Sequence, residues 1–365
     1  MKKFILLFIC IILSLPVFAE AQNYVTSEIA KVIAVQYVDT GDVVVQTKQQ
    51  VKVEIITGEF KGEELDIDNV ITGNPYYDLK LKKGQKVILH GEDNGDGIEY
   101  SIEDIHRSGA LVWLSLIFCA LLIYVGRKKG LYSLVSIFLT VVLIVNCLSP
   151  LILMGLNPVF AALLVCVLST VITMYLVGGV NAKSTSASLG AVLSLIFAAI
   201  LSETTMSAAH LTGFNGENTS FLYAAHPELD FIALAVSMMV LATLGAVMDV
   251  AMSISSTINE IYSTDNSKTV KELFISGMNV GRDIIGTMAN TLILVYLGGS
   301  LPLVLLAGNI DLQKFINLNQ VVTEIASALI GSIAIVICVP FTALVASWLI
   351  HKYAKKAELS RLPWE

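Results

Sequence analysis

Four side chains able to hold a cation or relay a proton fall on one face of a single apolar segment. Asp249 interrupts the run Leu244–Ile254, and Ser253, Ser256 and Glu260 follow it at i+4, i+7 and i+11. A carboxylate with hydroxyls one and two turns away has the ligands for either task. The small residues Ala242, Gly245 and Ala246 beside it leave room for a neighbouring helix. A second segment repeats the spacing with Asn279, Asp283, Gly286 and Asn290, and Arg282 stands next to Asp283. Ionisable groups in hydrocarbon cost several kcal/mol, and an amide there needs a partner. The two faces are therefore expected either to meet and line one polar path, or to lock two helices together by hydrogen bonds and an Asp249–Arg282 pair.

Weaker candidates surround these. Glu203 lies in Leu201-Ser-Glu-Thr-Thr205, ahead of a segment with Glu217, Glu228 and Asp230 but no Lys or Arg. Such a segment can gather cations, though a solvated acidic loop explains it as well. His210 and His226 are too isolated to form a metal site, and none is expected elsewhere. Glu92-x-Asn94-x-Asp96-Gly97 with Glu103 imitates a calcium loop, but its flanks read as strands, so a Gly-rich hairpin turn is expected. There is no His-Glu-x-x-His, no Gly-x-Ser-x-Gly elbow, no Walker loop and no dinucleotide fingerprint. No enzyme and no cofactor is expected. The five cysteines lie in apolar runs, where they read as small packing residues.

The elements that carry these residues follow from hydropathy. Of the residues, 55% are hydrophobic and 15% charged, well outside the range of soluble domains. Seven apolar stretches of about bilayer length fall at 110–126, 131–149, 158–178, 186–205, 230–253, 283–306 and 325–350. Alternate gaps and the tail hold Arg127, Lys128, Lys129, Lys183, Lys268, Lys271, Arg282, Lys352, Lys355, Lys356 and Arg361; the other gaps hold only Lys314. Positive residues concentrate on the cytoplasmic side, so this asymmetry predicts an external N-terminal part and a cytoplasmic tail at 354–365. Pro302 after Gly298-Gly299, and Pro340, mark points where helices break or bend. The net charge of −7 comes mostly from acids between Glu20 and Glu103, so the expected partner is the lipid bilayer and not nucleic acid.

Ahead of the spans, Lys2 and Lys3, the apolar run Phe4–Leu13 and Ala19-Glu20-Ala21 read as a signal peptide over 1–21. Residues 22–107 alternate in short runs (Asp42–Val45, Val51–Ile56, Val87–Leu89) separated by Gly-rich turns. They predict a small all-β domain, an OB-like or SH3-like barrel, outside the membrane. The seven-helix domain then occupies 108–353. Thr269-Val-Lys-Glu272 has capping-box spacing, and Val270, Leu273, Phe274 and Gly277 share one face. A short amphipathic helix is expected there, lying on the inner surface or running straight into the sixth span with Gly277 and Gly281 as a close contact.

Four motifs carry a resemblance. Gly155-Leu-Asn-Pro158, Gly178-Gly-Val-Asn-Ala-Lys-Ser184, Gly245-Ala-Val-Met-Asp-Val-Ala-Met-Ser253, and Gly277-Met-Asn-Val-Gly-Arg-Asp283 with Thr287 and Asn290, resemble the YibE/F family of bacterial multi-pass membrane proteins. The likeness spans about 130–345, and the exported β module is similar to the longer, YibE-like type. It implies a cell-membrane location and a partner membrane protein of the same family or a homo-oligomer, but supplies no activity. The expectation is thus a transporter or permease of a small solute or ion. Its path would be lined by Asp249, Ser253, Asn279, Arg282, Asp283 and Asn290, with Glu203 at the outer mouth. The alternative is a non-transporting scaffold or signalling protein whose β module binds an external ligand.

Overall fold

The computed structural model describes residues 25–39, 47–93 and 98–359. The signal-peptide reading of 1–21, the alternation at Asp42–Val45 and the tip of the Glu92–Gly97 turn lie outside the described residues. The chain divides into a β unit that ends at Tyr124 and a helical unit from Val125 onward.

In the β unit, strands β1 (Val25–Asp39), β2 (Thr47–Ile55), β3 (Glu64–Ile71), β4 (Lys86–Asp93) and β5 (Ile98–Ile105) form one antiparallel sheet in the order β3-β2-β1-β4-β5. The long β1 pairs with β4 through its first half and with β2 through its second, with an irregularity between Val32 and Ala34. An extra residue at such a point sharpens twist. The outer strands β3 and β5 approach each other, so the sheet curls almost into a barrel. Alternation puts Val51, Val53 and Ile55, and Val87 and Leu89, inward with Ala30, Val32, Ile67 and Leu81. The buried Gln49 amide bonds through both its ends: it accepts from Leu81 N (3.2 Å) and Asn69 Nδ2 (2.8 Å) and donates to the Leu81 carbonyl (3.4 Å). Those bonds fasten the long β3–β4 connection to the barrel. The strands flanking the imitation calcium loop pair as a hairpin, Asp93 against Ile98.

Among the described residues, six helices are long and apolar enough to cross a membrane. They are α1 (Ser108–Leu153), α2 (Pro158–Gly178), α3 (Ala182–Ala208), α5 (Phe231–Thr264), α6 (Val270–Gly299) and α9 (Asn319–Leu359). Short helices α4 (Glu217–Ala225), α7 (Leu301–Leu306) and α8 (Leu312–Phe315) join them. Two of the seven expected stretches share α1. Its 46 residues would extend about 69 Å as one helix, against about 30 Å of hydrocarbon, and its backbone leaves helical geometry at Arg127 (φ 49°, ψ −129°). Capping fixes the starts of α2, α3 and α5. Asn157 accepts from Val159 N (2.9 Å) ahead of Pro158, Asn181 from Ser184 N (2.8 Å) and Asp230 from Ala233 N (2.9 Å).

Thr269 and Glu272 form the expected reciprocal box (2.8 and 3.3 Å). The helix they open is not a separate surface helix. It continues to Gly299, so α6 starts well before the expected boundary at 283, and the segment 301–306 becomes the separate α7. Gly277 and Gly281 make the close contact. A Cβ on Gly277 would sit 2.6 Å from Ile258 Cδ1 on α5, and one on Gly281 2.1 Å from Val339 Cγ1 on α9. Helices α3, α5 and α9 form the centre, with α6 against α9. Small residues permit this: Gly190 faces Thr342 so closely that a Cβ would meet Thr342 Cα at 2.8 Å. Buried hydroxyls in α3 and α9 bond back to the preceding turn, as Ser194 to Gly190 O (2.7 Å) and Ser347 to Ala343 O (2.7 Å) do.

Candidate functional site

Where α5 and α9 begin and α6 ends, the helical unit contains a cavity of about 130 Å³ with several polar groups set in a mainly apolar lining. Helix α5 lines it with Ala235, Met238, Met239 and Ala242, α6 with Tyr296, and α9 with Thr323, Glu324 and Ser327. Asn215 closes it from the α3–α4 connection. That connection is held in place from several directions. Asn319 Nδ2 donates to Phe214 O (2.8 Å), Thr212 N donates to Asn319 Oδ1 (3.3 Å), and Asn215 N donates to Thr219 Oγ1 (3.0 Å). Phe214 stacks on Phe231 at 4.8 Å, with Tyr223 edge-on to both. Gly213 adopts a φ of +83° against Phe231 O, where a Cβ would stand at 2.2 Å. Only glycine fits there.

Within the cavity Asn215 Nδ2 donates to Glu324 Oε1 (3.2 Å). A carboxylate oxygen accepts only, so this bond fixes the amide orientation and turns Asn215 Oδ1 away from Glu324. Asn215 Oδ1 and Tyr296 OH are buried without a hydrogen-bond partner among the described residues. Thr323 and Ser327 spend their protons on the carbonyls of Asn319 and Thr323 (2.8 Å each), leaving lone pairs free. Glu324 forms no ion pair among the described residues. A second cavity of about 310 Å³ shares Tyr296 and Glu324 as walls and is otherwise almost wholly apolar, lined by Ile293, Leu297, Leu303, Phe315, Ile325 and Leu329 among others.

The residues singled out by spacing lie elsewhere. Asp249 and Ser253 are exposed on α5, and Asn279, Arg282, Asp283 and Asn290 are exposed on α6. Arg282 Nη1 bonds Asn279 Oδ1 on its own helix (2.9 Å). Among the described residues no hydrogen bond or ion pair links the two faces, and Asp249 and Arg282 are not paired. Glu203 is exposed and lines a cavity of about 320 Å³ together with Asn157 and Asp230, whose side chains are occupied as helix caps. The α6 stripe does lead toward the Glu324 cavities: Asn279, Asp283, Gly286 and Asn290 continue at helical spacing to Ile293 and Leu297 on the apolar wall.

Sequence reasoning missed Glu324, Tyr296 and Asn215. The last span was expected to begin at 325, one residue past the carboxylate, whereas the helix starts at Asn319. The repeat Asn319, Thr323, Ser327 was the available signal, since it extends a polar face across that boundary. Nothing comparable marked Asn215, which a folded connection brings in.

These features define a multi-pass helical membrane protein with a small all-β unit ahead of its spans. A family model described as YibE/F-like protein matches residues 114–352, and the YibE/F family N-terminal domain matches 23–105. The chain belongs to the YibE/F family. Comparison with curated proteins and with solved structures finds no match for it.

Proposed function

We propose that the protein is a permease-like carrier of a small solute or ion, with the Glu324 cavity as its binding place. The observation that supports the reading is a carboxylate that, among the described residues, has no counter-charge and stands beside two unpaired buried polar atoms, at the meeting of three apolar helices. Leaving the two buried atoms unpaired is costly unless something binds them, and the half-buried carboxylate beside them is free to take part. By the distribution of Lys and Arg, this end of the bundle faces outward and the β unit stands outside. The stripe from Asn290 to Asn279 on α6 then forms the inner half of the route.

Water access tests this. In a variant with the five native cysteines replaced, Asn290→Cys and Ser327→Cys are exposed to a membrane-impermeant thiol reagent in sealed vesicles. A route predicts labelling of Ser327→Cys from the outer side and of Asn290→Cys from the inner side. If neither reacts in folded protein, the residues are dry structural contacts and the scaffold reading replaces this one.

A further inference from the structure

We propose that the Glu324 cavity binds a primary ammonium joined to a short apolar group; this rests on the reading of that cavity as a ligand site. The free valences there are almost all acceptors. Among the described residues, Glu324 carries the only formal charge on the lining, Asn215 Oδ1 is unpaired, and Thr323 and Ser327 have already donated their protons. The Tyr296 hydroxyl completes the set and can accept as well. A ligand that satisfies them must bring several N–H donors and a positive charge. An ammonium has three donors and no acceptor, which matches this imbalance. An anion or a carboxylic acid would meet Glu324 with like charge, and the lining of neither cavity contains Lys, Arg or His to receive it.

The neighbouring cavity decides between a bare ion and an organic cation. It shares Tyr296 and Glu324, holds more than twice the volume, and offers Ile293, Leu297, Phe315, Ile325 and Leu329. A metal ion has no use for such a surface, whereas an alkyl or aryl group on the amine gains by leaving water. The tail therefore lies over α6 and α9 while the head meets Glu324. An aminophospholipid presents the same ammonium, but its phosphate would sit beside a lining with no cationic side chain. The assignment is to a free amine.

The test is binding by the full-length protein in detergent, read by calorimetry and thermal shift, with n-hexylammonium chloride as probe. Hexanol, sodium chloride, hexyltrimethylammonium and phosphatidylethanolamine form the comparison arms. Hexylammonium is expected to bind and raise Tm, while the trimethyl analogue, which lacks N–H donors, binds much more weakly. Glu324→Gln should weaken hexylammonium by about tenfold or more, as expected for loss of a charge-assisted bond, and Tyr296→Phe should weaken it less. Leu329→Trp, which fills the apolar cavity, keeps the test available if Glu324→Gln does not fold; it should abolish hexylammonium binding. Equal binding of hexanol, an equal shift with sodium alone, preferential binding of phosphatidylethanolamine, or hexylammonium binding untouched by Glu324→Gln and Leu329→Trp would each overturn the assignment. Hexylammonium binding in a protein whose Asn290→Cys and Ser327→Cys stay unlabelled would leave this inference standing and sink the permease reading. Labelling of both positions without amine binding would do the reverse.

Discussion

Asp78 shows how a single carboxylate organises a connection. Its Oδ1 accepts from Thr72 N (2.7 Å) and Thr72 Oγ1 (2.9 Å), and its Oδ2 from Gly73 N (2.8 Å). Desolvation pushes its pKa up, but the bonds from Thr72 and Gly73 outweigh it and hold the carboxyl below the usual range. A folded-state pKa below the unfolded value of about 3.9 means the contribution is complete above that value and is lost as pH falls through the folded one. Amide exchange at Thr72 and Gly73 should thus be protected at neutral pH and lose protection below about pH 4. Asp78→Asn should remove that pH dependence; protection unchanged into strong acid would show that the bonds do not hold the turn. None of this was legible in the sequence, where Asp78 is one acid among many. The same holds for Glu324: its identity was visible, but its partner Asn215 lies more than one hundred residues away and meets it only through the fold.

At the scale of elements, glycines separate packed faces from open ones. Gly190 on α3 meets Thr342 backbone on α9, while a Cβ at Gly286 on α6 would enter open space, with nothing within 4 Å. Gly190→Ala should destabilise the protein by about 1–3 kcal/mol, the usual cost of overpacking, seen as a lower Tm in detergent. Gly286→Ala should be neutral or stabilising by up to about 1 kcal/mol, from helix propensity alone. A Gly190→Ala variant as stable as wild type would refute the tight α3–α9 seam. Periodicity found the helices and the capping box at Thr269, because those depend on neighbours three or four residues apart. Of its two readings for the helix at Thr269, the one running straight into the sixth span holds; the end expected at 306 falls instead at Gly299, where the Gly298-Gly299 pair ahead of Pro302 breaks the helix. It also expected the polar faces of α5 and α6 to meet. Helix α6 instead packs its Gly277–Gly281 face inward, since close approach of small residues to Ile258 and Val339 offers contact that Asp283 and Asn290 cannot.

For the whole molecule, the count of crossings sets where the chain ends. If the β unit stands outside, as proposed, seven crossings put the C-terminus in the cytoplasm, whereas six would return it to the exterior. The break at Arg127, next to Lys128 and Lys129, fits a turn at the inner face with α1 crossing twice. Alkaline phosphatase fused after Glu365 should be inactive and a fluorescent protein there should be bright; the same reporters at Gly216 should give the opposite result. Phosphatase activity at the C-terminus would mean that α1 crosses once.

Composition and apolar runs were sufficient for the class of protein and the order of its units, and four short motifs carried the resemblance to its family. Each is a property of contiguous residues, and hydrocarbon selects them by length and polarity alone. The tertiary structure decided which polar groups share a space. Tyr296, Asn215 and Glu324 come from three separate segments, and their meeting depends on Phe214 stacking on Phe231, Asn319 bonding the Phe214 carbonyl, and α6 lying on α9. Those contacts join residues distant in the chain, and no local period encodes which helix face turns inward once small residues allow two backbones to touch.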